Sequence, residues 1–120
     1  MREYEKPNTT SKNRLEPRSY YIPSGVSEYQ LLNGEWRFAY FANEDDSLEV
    51  IEKWDVIPVP SCWQLYGYES PNYTNINYPF PVDPPYVPDE NPAGIYERSF
   101  QVDRVWGKVY FVLEGVATCA

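Results

Sequence analysis

Nine of the twelve prolines in this chain fall between residues 58 and 92, and this crowding limits the possible folds more than any other feature. Proline fixes φ and lacks an amide hydrogen, so the stretch cannot form a helix or a central strand. It is also too aromatic for a disordered linker, since it contains Trp63, Tyr66, Tyr68, Tyr73, Tyr78, Phe80 and Tyr86. We therefore expect a long, ordered loop inside a β domain, a setting in which such loops usually carry function.

The segments around this loop have strand character. Trp36, Phe38 and Tyr40 alternate with smaller or charged residues, which predicts a half-buried strand over residues 35–42. An Asn-Gly turn signal precedes that strand at residue 33. Apolar alternation also predicts strands at 94–102 and 108–116, and the prolines within 56–60 favour an edge strand there.

Residues 43–54 carry a different pattern. Asp45 or Asp46 could cap a helix, and Leu48, Ile51 and Trp54 fall at helical spacing. We expect a short helix or a few turns in this segment.

The pattern as a whole predicts an all-β fold with antiparallel strands, of the β-sandwich or jelly-roll type. Only about four strands are predicted, whereas a sandwich needs roughly seven. We therefore expect residues 31–120 to be a partial domain that is incomplete at its C-terminus. Residues 1–30 are polar and interrupted by proline, and we expect an extended N-terminal arm that depends on the rest of the protein for order.

Composition excludes several classes of function. A net charge of −8 argues against nucleic acid and against an anionic membrane surface as partners, since both attract basic patches. The chain has no histidine, so a His-based triad or a His metal site within it is excluded. Cys62 and Cys119 match no zinc or redox spacing and are expected to be free thiols. No apolar run indicates a signal peptide or membrane span, which favours a cytoplasmic protein.

Five ordered blocks carry a family resemblance that covers nearly the whole chain. They are Leu32-Asn33-Gly34-Glu35-Trp36-Arg37-Phe38, Val59-Pro60-Ser61-Cys62-Trp63-Gln64 with Gly67-Tyr68, Tyr73-Thr74-Asn75-Ile76-Asn77-Tyr78-Pro79, Pro84-Pro85-Tyr86-Val87-Pro88, and Glu90-Asn91-Pro92-Ala93-Gly94. In this order and spacing they resemble the N-terminal sugar-binding domain of the glycoside hydrolase family 2 β-galactosidases. That domain is a jelly roll of the galactose-binding type.

The resemblance implies a retaining hydrolase for terminal non-reducing β-D-galactose residues of substrates such as lactose. In that family two glutamates of a central TIM barrel act as nucleophile and general acid. No glutamate of this chain matches either motif, so we expect no catalytic residue here and no activity of the chain alone. The implied partners are a β-galactoside, the barrel that forms the remainder of the enzyme, and further copies in a homo-oligomer.

The resemblance also names the candidate site residues. In the family, the Asn of the Tyr-Thr-Asn block contacts galactosyl hydroxyls, and that residue is Asn75 here. A carboxamide offers two donors and an acceptor without adding charge, which suits adjacent hydroxyls beside catalytic carboxylates. An Asn that only caps its own turn is the alternative interpretation. Tyr73 is a second candidate for substrate binding, although its ring could simply brace the loop.

Magnesium and sodium are the cofactors that the resemblance implies for the full-length family. An Asp-Trp-Glu-Asn-Pro block in the family arm helps to hold magnesium, and Glu3-Tyr4-Glu5-Lys6-Pro7 stands in its place here. A lysine ammonium has no acceptor and cannot ligate magnesium. We therefore predict no metal site in this chain.

Two other functions fit the sequence. A non-catalytic carbohydrate-binding module would explain the aromatic loop and the β-sandwich. An assembly or complementation fragment would explain the arm, because the N-terminal arm in this family helps to assemble a tetramer.

Overall fold

Three antiparallel strands form the centre of the fold in a computed structural model. It describes residues 2–9, 11–17, 19, 29–48, 50–71, 81–102 and 107–116. The strands are β1 (Gly34–Phe41), β2 (Asp55–Val59) and β3 (Ala93–Glu97), in the sheet order β2-β1-β3. Both pairings are antiparallel, which confirms that part of the fold prediction. Across the described residues there is no α-helix, only three short 3₁₀ helices.

The central strand β1 carries the core of the sheet. Phe38 is fully buried, between Asp55 of β2 and Tyr96 of β3 in the register. Ala39, on the opposite face, is also buried. A half-buried strand has one buried face and one exposed face. The prediction is therefore wrong at Ala39, because this small side chain on the second face is buried as well.

The edge strand β2 confirms the prediction for residues 56–60 to within one residue. Pro58 is exposed opposite Glu35, on a strand that pairs on one side only in the described sheet, the setting in which proline is usually found within a strand. Ile57 is fully buried opposite Trp36. The strand thus anchors one side of the sheet with a single apolar side chain.

The turn before β1 is closed by side chains that donate to backbone carbonyls. The Arg98 guanidinium donates to the carbonyls of Leu32 at 3.0 Å and Asn33 at 2.9 Å. The Trp36 indole donates to the Leu32 carbonyl at 2.6 Å. Gly34 has a φ of +127°, a backbone conformation that residues with a side chain rarely adopt. This explains why the Asn-Gly turn signal carries glycine at position 34.

Two predicted elements are shorter in the structure. The helical pattern over 43–54 yields one 3₁₀ helix, Glu44–Leu48, and residues 50–54 are not helical. An extended chain spans the distance to β2 with far fewer residues than a helix. The strand predicted at 94–102 ends at Glu97, and the side chain of the next residue, Arg98, donates to the carbonyls of Leu32 and Asn33 before β1.

The strand predicted at 108–116 is absent from the structure. Residues 107–116 are all exposed, and none pairs with a strand of the described chain. Alternation of apolar residues marks a surface that could be covered, but a strand also needs a neighbour to supply hydrogen bonds. The prediction is therefore wrong for this part of the chain as described.

The long proline-rich stretch is ordered without strands between β2 and β3 where it is described. It contains a 3₁₀ helix, Trp63–Tyr66, which Gly67 ends in the left-handed conformation with a φ of 82°. The N-terminal arm contributes another 3₁₀ helix, Glu3–Glu5. No helix among the described residues has the length and apolar character needed to cross a membrane.

Candidate functional site

Asn75 and Tyr73, the residues predicted to bind substrate, lie outside the described residues, as does the rest of the segment 72–80. The chain is described on both sides of that segment. Residues 63–71 lead into it, and residues 81–92 lead out of it. These flanking segments are called the entry stem and the exit stem below, and their contacts frame the candidate site.

The entry stem is tied together by one carboxylate. Glu69 Oε2 accepts hydrogen bonds from Trp63 Nε1 at 3.1 Å and from Gln64 Nε2 at 3.2 Å. Both donors belong to the 3₁₀ helix Trp63–Tyr66, so Glu69 closes the turn that follows it. A glutamate with no catalytic motif therefore has a structural role here.

Tyr68 fixes the entry stem to the sheet. Its hydroxyl donates to Asp55 Oδ2 on β2 at 2.8 Å, and its ring lies edge-on to Phe38 at a centroid distance of 4.9 Å. Burial raises the pKa of Tyr68 above its ordinary value, and the neighbouring Asp55 carboxylate adds to the effect. The stem is therefore attached to β2 by a hydrogen bond and to β1 by ring packing.

Trp63 packs the same stem against β1 and β3. Its ring centroid lies 5.9 Å from that of Phe38 and 5.9 Å from that of Tyr40. A Cβ at Gly94 would lie 2.7 Å from Trp63 Cε3 and 2.7 Å from Phe38 Cε2. The ring can approach the sheet only because residue 94 has no side chain, which gives a physical reason for the glycine in the fifth family block.

An open groove of about 550 Å³ lies beside Tyr68. It is lined by Phe38, Ala39, Tyr40, Phe41, Val50, Ile51, Glu52, Lys53, Asp55 and Tyr68. Aromatic walls with a few polar groups suit a flat ligand or a sugar face. Burial raises the pKa of Tyr40, and the Glu69 charge adds to this shift. The sequence did not predict this groove, because one of its walls comes from residues 50–53, which helical spacing assigned to a helix.

The exit stem is held by the N-terminal arm. Val87 N donates to Glu5 Oε1 at 3.1 Å, and Arg2 Nη1 donates to the Pro88 carbonyl at 3.5 Å. Asn91 Nδ2 donates to the Tyr4 hydroxyl at 3.1 Å. The sequence prediction of an extended arm missed this docking, and no local pattern could have revealed it.

The arm contacts also bear on the magnesium expected from the family. Glu3 pairs with Lys12 at 2.8 Å, and both oxygens of Glu5 accept backbone hydrogen bonds. Lys6, next along the chain, offers no acceptor. Within the described ranges, no three His, Cys, Asp or Glu side chains group so that they could hold a metal ion. On these contacts the arm residues do not fit a magnesium ion.

The other glutamates, which match no catalytic motif, are either paired with another side chain or exposed where the structure describes them. Glu97 pairs with Arg37 across β1 and β3, and Glu35, Glu90 and Glu114 are exposed. Cys62 is an exposed free thiol, as predicted, whereas Cys119 lies outside the described residues.

Comparison with known proteins places the chain in a family. The family described as "Glycosyl hydrolases family 2, sugar binding domain" matches residues 29–120. A β-galactosidase of Actinobacillus pleuropneumoniae is 39% identical over 97% of this chain, and one of Enterobacter cloacae is 39% identical over 96%. A β-galactosidase of Pectobacterium atrosepticum is 46% identical over 71% of it. The chain spans only 13%, 13% and 9% of the length of these relatives. The chain belongs to the glycosyl hydrolase family 2 sugar-binding domains.

Proposed function

We propose that this chain is the N-terminal sugar-binding part of a retaining β-galactosidase, which hydrolyses terminal non-reducing β-D-galactose residues. The observation that carries the proposal is the 39% identity with a β-galactosidase along 97% of the chain. The remainder of the enzyme, a TIM barrel, would supply the two catalytic glutamates, and the full-length protein would form a homo-oligomer. The contacts of Glu3 and Glu5 favour an arm that does not hold magnesium.

The domain boundaries belong to the same proposal. Residues 31–120 would form part of a jelly-roll sandwich, and residues 1–30 would be an arm attached to it. The family match from residue 29 and the antiparallel sheet support this division. The contacts of Glu5 with the exit stem support an arm that is part of the functional unit.

Within the enzyme, we assign this chain the role of a wall of the sugar pocket, with Asn75 as its main contact and Tyr73 as a second. The entry stem is anchored at Tyr68, four residues before segment 72–80, and the exit stem is anchored at Val87, seven residues after it. A pocket wall has to be held in this way, because a misplaced donor loses its hydrogen bond to the substrate.

Substitution of Asn75 tests this assignment. In the full-length enzyme, Asn75→Ala should lower kcat/KM for a β-galactoside by about 5- to 150-fold, the equivalent of roughly 1–3 kcal/mol for a lost buried hydrogen-bond partner. Asn8→Ala is the matched control, because Asn8 is exposed in the arm and should leave kcat/KM unchanged. An unchanged kcat/KM for Asn75→Ala would remove this residue from the site.

The open groove beside Tyr68 supports a second candidate, a carbohydrate-binding module. Tyr40 and Tyr68 provide aromatic walls, and Lys53 and Asp55 provide polar groups 3.9 Å apart. A module would bind galactosides without the rest of the enzyme, so titration of the pure chain with galactose should change its tryptophan fluorescence. No change at millimolar sugar would exclude this candidate, while the enzyme proposal would be unaffected.

A further inference from the structure

Residues 107–116 carry the longest exposed apolar run of the described chain. Five successive side chains are each between 48% and 66% exposed: Val109, Tyr110, Phe111, Val112 and Leu113. The run contains no proline or glycine, and the nearest charges stand at its two ends, Lys108 and Glu114. Edge strands are usually protected from pairing by proline or by charges within them, so a segment of this composition is able to add to another strand.

The order of residues in this segment is self-complementary when two copies run antiparallel. Residues 108–114 read Lys-Val-Tyr-Phe-Val-Leu-Glu, with Phe111 at the centre. In a pair centred on Phe111, Lys108 would face Glu114 of the second copy, and Val109 would face Leu113. Residues that face each other across two strands lie on the same side and close enough for their side chains to interact. Opposite charges therefore meet at both ends of the pair, and apolar side chains meet between them.

The charges select one register. A register shifted by two residues in either direction would bring Lys108 opposite Val112 or Val116, and neither ion pair would form. The Lys108 ammonium lies 5.5 Å from the centroid of the Tyr110 ring, so these two side chains share one side of the segment. In an extended chain the positions between them form a second side, which is apolar throughout.

We propose that residues 108–114 are an interaction surface through which two copies of this chain pair as antiparallel strands. The partner is a second copy because each contact of this register forms twice about a two-fold axis at Phe111, which closes the assembly at a dimer. Seven residues span only about 23 Å and bury less than the roughly 1,200 Å² of a stable interface. We therefore expect a weak dimer that forms at on the order of 0.1 mM. The inference is independent of the proposed function.

Charge reversal tests the register by sedimentation equilibrium of the full chain, under reducing conditions because Cys62 is an exposed free thiol. Glu114→Lys would place lysines opposite each other at both ends, so the dimer should weaken by about fivefold or more. Lys108→Glu should weaken it as well, although the two substitutions move the net charge of −8 in opposite directions. The double variant Lys108→Glu/Glu114→Lys restores opposite charges and should dimerise as the wild type does.

Mixing the single variants tests that the contact is between copies. One variant carries lysine at both ends of the segment and the other carries glutamate, so an equimolar mixture should associate more tightly than either variant alone. Glu90→Lys is the matched control, because it makes the same charge change at an exposed position of the exit stem and should leave the dimer unchanged. A wild type that stays monomeric at about 1 mM would overturn the inference. So would a double variant as weak as the single ones, or assemblies that grow beyond a dimer.

Discussion

Gly94 is the position at which a single added methyl group tests the packing of the entry stem most sharply. In Gly94→Ala the new Cβ would lie 2.7 Å from Phe38 Cε2 and from Trp63 Cε3, whereas an ordinary contact lies between 3.4 and 4 Å. Both neighbours are rigid rings, and Phe38 is fully buried, so its ring cannot swing into solvent to make room. Overpacking of this kind costs about 1–3 kcal/mol.

The free energy of unfolding, measured by urea titration with tryptophan fluorescence, should therefore fall by roughly 1–3 kcal/mol in Gly94→Ala. Gly115→Ala is the matched control, because nothing lies within 4 Å of a Cβ at that position. Its free energy of unfolding should stay within about 0.5 kcal/mol of the wild type, as for most surface substitutions.

A double substitution identifies the contact responsible. Trp63→Leu removes the ring that the new methyl group would meet, so Gly94→Ala should cost much less in that background. A Gly94→Ala protein as stable as the control would refute the proposed packing of Trp63 on β3. Equal costs in the two backgrounds would assign the strain to Phe38 alone.

Two further predictions concern ionisable groups that lie in the sheet or contact it. Because the pKa of Tyr68 is raised in the folded protein, its contribution to the free energy of unfolding is present below pH 10.0 and is lost as pH rises through the folded-state pKa. Urea titrations should show the wild type losing stability above about pH 10 more steeply than Tyr68→Phe. Equal pH dependence of the two proteins would contradict this prediction. Glu97→Gln breaks the exposed ion pair with Arg37, so it should lower the free energy of unfolding by less than about 1 kcal/mol, and by less still in 1 M salt. A larger loss of stability that does not depend on salt would contradict this interpretation.

The sequence was most informative where one local pattern decided the structure. Large aromatic side chains at alternate positions predicted β1 to within one residue at each end, because burial of Phe38 requires a strand. Prolines at 58 and 60 favoured an edge strand, and β2 lies at the edge of the sheet. In both places the physical cause acts over a few residues.

Features that depend on distant partners were not predictable in the same way. Residues 108–116 alternate as β1 does, yet no described strand pairs with them. The burial of Glu5 depends on an amide 82 positions away, and Gly94 is required by a ring that comes from the entry stem. Asn75 and Tyr73 came from the family resemblance, and their contacts with substrate stay a prediction.

The central proposal is that this chain contributes to galactose recognition within the full-length enzyme and that the remainder of the enzyme supplies the catalytic glutamates, since no glutamate of this chain matches either catalytic motif. Hydrolysis of a chromogenic β-galactoside by the purified chain tests this most directly, with the full-length enzyme measured under the same conditions. We predict no turnover by the chain alone and ready turnover by the full-length enzyme. Turnover by the purified chain would contradict the claim and would require a catalytic pair among its own carboxylates.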